Sequence, residues 1–218
     1  MPDRPAEEAP PHRFVRLGLF FYGAMAAVAV IWRMGFYGEP ILYADAAGEA
    51  RGLSLAFDLA VGLAAGVFVV VASDLATRNT GWGEELARAM GAALGPISTP
   101  NAILLAFASG MAEEMLFRGA LQPRVGLVLA SLLFGCVHFV PNRIFLPWTV
   151  FAVLVGGLLG ALFQWTGNLV APVAAHILVN AINLPLLIRR YGQGASPVAL
   201  PGVEEPVDTP SDERDRED

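Results

Sequence analysis

The chain has 218 residues, 55% of them hydrophobic and only 16% charged, with 23 glycines and a mean hydropathy of +0.54, a balance that excludes an ordinary soluble globular domain. The net charge of −6 lies wholly in residues 201–218, where eight carboxylates face Arg214 and Arg216, while residues 1–200 hold twelve acids and twelve arginines. With no lysine and no basic stripe, no nucleic acid is implied as a partner; the lone Cys136 excludes an intrachain disulfide framework.

Residues 1–13 form a polar, proline-rich lead, read as cytoplasmic, which enters a first apolar span over Phe14–Met34. That span is expected to be a retained anchor. A cleaved signal peptide ending near Ala27-Val28-Ala29 is the competing reading, disfavoured by the acidic residues of the lead. A second span covers Leu53–Ala72, with an isolated Asp58 and a Gly62-xxx-Gly66 pair that permits close helix contact. Gly83–Leu94 places Leu86, Met90 and Leu94 at intervals of four, the pattern of an amphipathic helix lying in the membrane interface. Thr99 then reads as an N-cap, with Pro100 in the first turn of a third span over Ile103–Phe117. Further spans are expected over Val125–Val140, Ile144–Trp165, which contains Gly156-xxx-Gly160, and Leu169–Ile188. Residues 193–218, rich in Pro, Asp and Glu, are expected to be disordered.

Runs of this length must satisfy their backbone hydrogen bonds within themselves in lipid, so they are helices. The expected fold is all-α: a polytopic integral membrane bundle over residues 14–192, with about six transmembrane helices plus an interfacial helix and the lipid bilayer as its partner. An even number of spans puts both termini on one side. Arg4, Arg13, Arg16, Arg78, Arg88, Arg143, Arg189 and Arg190 then share the side of the N-terminus, against Arg51, Arg118 and Arg124, which makes that side cytoplasmic.

The informative residues are the polar ones inside these runs, since a charge at mid-membrane costs about 2.5–3.5 kcal/mol on the mildest scale. The third span holds Glu113, Glu114 and Arg118, the fourth His138, and the sixth His176, Asn180 and Asn183. Glu114 and Arg118 are four apart and can pair, whereas Glu113 projects about 100° away around the helix. Phe134 lies one turn from His138, and His176, Asn180 and Asn183 form a stripe at i, i+4, i+7. If the three faces meet, the parts needed for hydrolysis are present. Glu113 could take a proton from water that His138 orients, His176 and Asn180 could donate to an oxyanion, and Arg118 would orient Glu114.

Each feature also has a plainer reading. Glu114–Arg118 alone is most often structural, intramembrane His and Asn commonly tie helices together, Cys136 is usually a small buried hydrophobe, and Asp58 suits a polar packing contact or a supporting role near the site. Three further functions use the same residues: a non-catalytic membrane scaffold or immunity module, a proton-coupled transporter without visible inverted repeats, and a Ser109 nucleophile lacking Gly-x-Ser-x-Gly.

Glu113-Glu114-Met115-Leu116-Phe117-Arg118, Phe134-Gly135-Cys136-Val137-His138 and His176-Ile177-Leu178-Val179-Asn180 together resemble the EExxxR, FxxxH and HxxxN motifs of the CPBP (Abi) family, which contains the type II CAAX prenyl endopeptidases and bacteriocin-processing or self-immunity proteins. The resemblance covers roughly residues 100–185. It implies an intramembrane endopeptidase acting on a membrane-associated protein or peptide. In that pattern Glu113 and His138 activate water, His176 and Asn180 stabilise the oxyanion, and Glu114 with Arg118 supports the glutamate. Members are classed both as metalloproteases and as glutamate-dependent proteases. Glu113, His138 and His176 could ligate a divalent metal such as zinc, but HExxH is absent and no spacing enforces a metal, so metal-independent chemistry is favoured. The short lead and lysine-free composition point to a bacterial cell membrane.

Overall fold

The computed structural model describes residues 10–192. The polar lead up to residue 9 and the acidic tail from residue 193 lie outside the described residues. Among the described residues there is no strand, only an isolated bridge between Tyr43 and Asn168.

Among the described residues eight α-helices follow one another: α1 (Pro10–Val30), α2 (Ala46–Arg51), α3 (Leu55–Asn79), α4 (Gly81–Leu94), α5 (Thr99–Glu114), α6 (Gln122–Val137), α7 (Leu146–Thr166) and α8 (Val170–Tyr191). Two π-helical stretches extend this framework, Ile31–Phe36 after α1 and Met115–Leu121 between α5 and α6. Local chemistry sets the ends. Asp45 caps α2 by accepting from the Gly48 amide at 2.7 Å, and Thr80 caps α4 by accepting from the Gly83 amide at 3.1 Å. The left-handed Gly167, at φ +77°, closes α7.

Among the described residues, five helical segments are long and apolar enough to cross a membrane: Arg13–Phe36, Leu55–Asn79, Thr99–Val137, Arg143–Thr166 and Val170–Tyr191. The third of these, 39 residues long, runs through the π-helical stretch and holds both the expected third and fourth spans: Gly126, at φ +82° and ψ 168°, breaks the helix, and the chain beyond it folds back so that Phe134 meets Arg118 and His138 meets Glu113. Ser98, not Thr99, occupies the N-cap position of the third span, without a side-chain capping bond, and Thr99 is already the first helical residue ahead of Pro100. Cys136 is exposed on the outside of α6, so it is not the buried hydrophobe expected.

At the centre stands α8, packed against α3, α5, α4 and α7. Small residues bring it close: a Cβ on Gly62 of α3 would fall on the Ala171 carbonyl oxygen, and one on Gly110 of α5 would come within 2.8 Å of the Ile177 side chain. The second contact sets α5 beside α8 one turn before the Glu113–Glu114 pair. Charges gather at the two ends of the bundle. At one, Asp74 pairs with Arg78 at 2.8 Å and Arg190 at 3.8 Å, with Arg88 lying over the Tyr191 ring. At the other, Glu39 joins Arg33 and Arg124, and buried Asp58 accepts from Asn168 at 2.9 Å. Asp58 is thus a packing tie between α3 and the turn before α8, remote from the site.

The amphipathic α4 forms where Gly83–Leu94 was expected, starting two residues earlier. Its apolar residues Leu86, Met90 and Leu94 face an internal cavity.

Candidate active site

The Glu113–Glu114 pair ends α5 where the helix widens into the π-helical stretch, a local irregularity frequent at functional sites. Successive positions send the two carboxylates apart. Glu114 is fully buried. Its Oε1 accepts from Arg118 Nη1 at 2.9 Å and from His176 Nδ1 at 2.7 Å. Arg118, 1% exposed, also donates from Nη2 to the Gly156 carbonyl at 3.1 Å and lies 4.4 Å from the centre of the Phe134 ring. The Gly156-xxx-Gly160 stretch therefore offers carbonyl oxygens as well as close packing, since Gly160 O accepts from Gln122 at 3.0 Å.

Glu113 points into the cavity instead. Its Oε2 has no hydrogen-bond partner and lies 3.8 Å from His138 Nε2 and 3.9 Å from His176 Nε2. Tyr22 of α1 lines the same cavity from across the bundle. His138 sits at the end of α6 with Nδ1 2.7 Å from the Phe134 carbonyl, and its ring is flanked by Phe134 and, at 5.5 Å, by Trp148. Asn180 donates to Ser109 Oγ at 3.0 Å, and Ser109 donates in turn to the Ala106 carbonyl at 3.3 Å.

These contacts fix the imidazole tautomers. A carbonyl only accepts, so His138 carries its proton on Nδ1; a carboxylate paired with Arg118 only accepts, so His176 does the same. In the neutral rings both Nε2 atoms then present lone pairs toward Glu113 Oε2. Three acceptors around one gap call for a donor between them, and the 3.8–3.9 Å separations suit a bridging water better than direct contact.

The same three groups were the candidate metal ligands. Zinc bonds of about 2.0–2.1 Å in a tetrahedron bring donors to about 3.3 Å of one another. Glu113 Oε2 is farther than that from both imidazoles, and among the described residues no group of three His, Cys, Asp or Glu side chains is arranged to hold a metal ion. The residues as placed do not fit zinc.

Glu113, His138, His176 and Asn180 all line one cavity of about 520 Å³, whereas Glu114 and Arg118 lie behind it. The cavity runs from the carboxylate along α8 to the end of the bundle that carries Arg190, with α4 as one wall. It is walled mainly by apolar side chains. Tyr22, Ser73 and Trp148, which sequence spacing did not single out, meet the same cavity from α1, α3 and α7. Ser109 was considered only as a nucleophile; here its hydroxyl is engaged with Asn180.

Residues 95–182 match the family model described as type II CAAX prenyl endopeptidase Rce1-like. Over that segment the chain is similar to Rce1-like endopeptidases. The segment contains Glu113, Glu114, Arg118, His138, His176 and Asn180, while α1, α2, α3 and α4 precede it. Together with the five apolar helices, the Rce1-like segment makes this an integral membrane protein. The chain is also similar to the uncharacterized protein YpbD of Bacillus subtilis (strain 168), 42% identical over 87 residues, which is 39% of this chain and 44% of that protein. The match thus spans less than half of the relative's length. No solved structure matches the chain.

Proposed function

We propose that the protein is an intramembrane endopeptidase, hydrolysing a peptide bond near the membrane in a membrane-associated protein or peptide, of CAAX type or like bacteriocin processing. One observation carries the reading: the unpartnered Glu113 Oε2 lies between two imidazole Nε2 atoms at 3.8 and 3.9 Å, at the inner end of a mainly apolar cavity. A carboxylate left without a partner in such surroundings is held for use rather than for stability.

In the proposed reaction a water occupies the gap and gives one hydrogen bond to Glu113 and one to His138. The water oxygen attacks the substrate carbonyl carbon as Glu113 takes its proton. The carbonyl π electrons move onto oxygen, giving a tetrahedral oxyanion. Asn180 retains one N–H after bonding Ser109, and His176 in its protonated form keeps an N–H at Nε2 while Glu114 holds Nδ1–H. Both face the oxyanion. Collapse expels the amine, which collects the proton from Glu113, leaving a carboxylic acid and an amine; transfer of the acid's remaining proton to the amine gives carboxylate and ammonium as products. General-base transfer of this kind contributes about 10²–10⁴-fold, and one oxyanion donor about 10²–10³-fold. Glu114, tied by Arg118, keeps His176 oriented.

The test is cleavage of a membrane-peptide library by the purified protein in liposomes. His138→Ala and Asn180→Ala should each lower kcat by about 10²-fold or more while remaining folded. A folded His138→Ala protein that turns over like the wild type would remove the reading. A chelator in the same assay should leave turnover unchanged; sensitivity to it would transfer activation of the water to a metal.

A further inference from the structure

The cavity carries a second polar feature beyond the motif residues. Asn183 of α8, one turn past Asn180, donates to Ser73 Oγ of α3 at 3.2 Å, and Ser73 donates to the Val70 carbonyl at 2.9 Å. Both residues line the same cavity as Glu113. After these bonds Asn183 still has one N–H and its amide oxygen, and Asn180 likewise has one N–H beyond Ser109. Both asparagines are half-buried, with side chains on the cavity. At 1.5 Å per residue, His176 to Asn183 covers about 10 Å of α8. That is the length of about three residues of extended chain at 3.3 Å each.

A peptide bond within a membrane helix is sheathed by its own hydrogen bonds, and exposing it for hydrolysis means unwinding the neighbouring residues. In a mainly apolar cavity the freed N–H and C=O groups need partners. We propose that Asn183, set by Ser73, binds the backbone of an extended substrate segment within about three residues of the cleaved bond, while Leu86, Met90 and Leu94 of α4 receive its apolar side chains. This rests on the endopeptidase reading for its substrate class, peptide, and assigns the cavity a recognition role: main chain on the α8 side, side chains on the α4 side. The pair at Asn183 and Ser73 joins α3 to α8 and still leaves polar valences open to the cavity.

The test couples the protein to single backbone atoms. A dansyl-labelled apolar octapeptide is prepared with one backbone amide at a time replaced by an ester, which deletes an N–H and weakens the adjoining carbonyl as acceptor. Cleavage and binding are measured in liposomes for the wild type, Asn183→Leu and Ser73→Ala. At one ester position within three residues of the scissile bond, wild-type kcat/KM should fall about five- to tenfold, the worth of one neutral hydrogen bond. The same ester should cost Asn183→Leu or Ser73→Ala less than about twofold. Equal losses in wild type and both variants at every position would overturn the proposal. Binding of the same peptides to Glu113→Gln, which needs no turnover, separates the two claims. A position-specific ester penalty in binding without any cleavage by wild type would uphold the backbone site and sink the endopeptidase reading; no such penalty in binding would sink the backbone site.

Discussion

Arg118→Met removes a guanidinium that is 1% exposed while keeping most of the stem volume. Glu114, fully buried, then retains only His176 Nδ1 at 2.7 Å as a partner, and the Gly156 carbonyl loses its donor. Breaking a buried pair from one side costs about 3–5 kcal/mol, because the remaining charge is left in a poorly solvating interior. The stacking of Arg118 on Phe134 adds up to about 2 kcal/mol when desolvated. The surviving His176 contact returns part of this, so the expected net loss is about 3 kcal/mol. The double variant Glu114→Gln/Arg118→Met removes the charge yet leaves an amide oxygen to accept from His176, and should recover most of the loss. Unfolding in mixed micelles with increasing SDS, followed by tryptophan fluorescence, measures both. A single variant within about 1 kcal/mol of wild type, or a double variant no more stable than the single, would refute the view of Glu114 as a charge dependent on Arg118.

Two further outcomes follow from the far end of the bundle. Asn168→Leu leaves the Asp58 carboxylate with the Ser54 amide alone, at 3.2 Å, and should cost about 1–3 kcal/mol in the same unfolding assay, with cleavage per folded molecule unchanged because Asp58 is remote from the cavity. Glu39, hydrogen-bonded to Arg124 and close to Arg33, is held below the ordinary carboxylate range, chiefly by the Arg124 hydrogen bond. A depressed carboxylate adds stability that is present above its unfolded-state value and is lost as pH falls through the folded one. The unfolding midpoint of wild type should therefore drop more steeply on acidification than that of Glu39→Gln, and parallel curves would contradict this.

The helices were legible because each apolar run is long enough to cross lipid and no competing structure satisfies the backbone there. The place where the chain turns back was not, because one glycine can break a helix without altering its hydropathy: Gly126 interrupts the run at the start of the expected fourth span. Helical periodicity also separated Glu113 from Glu114 correctly, since neighbours about 100° apart cannot share a face. Interhelical partners lie beyond such reasoning. Tyr22, Ser73 and Trp148 bear no spacing relation to the motifs, and only the packing of α1 against α5, and of α3 and α7 against α8, brings them to the cavity. The stripe Leu86, Met90 and Leu94 was visible as an apolar face, but a cavity wall and a lipid-facing surface carry the same pattern.

Glu113→Gln tests the account most directly, since the amide keeps the volume and hydrogen-bonding reach of the side chain and removes only its capacity to take a proton. Compared with wild type in liposomes on one cleaved peptide, Glu113→Gln should lose about 10²–10⁴-fold in kcat with an unchanged unfolding midpoint. A folded Glu113→Gln protein that cleaves within a few-fold of the wild-type rate would contradict the role of this carboxylate as the base.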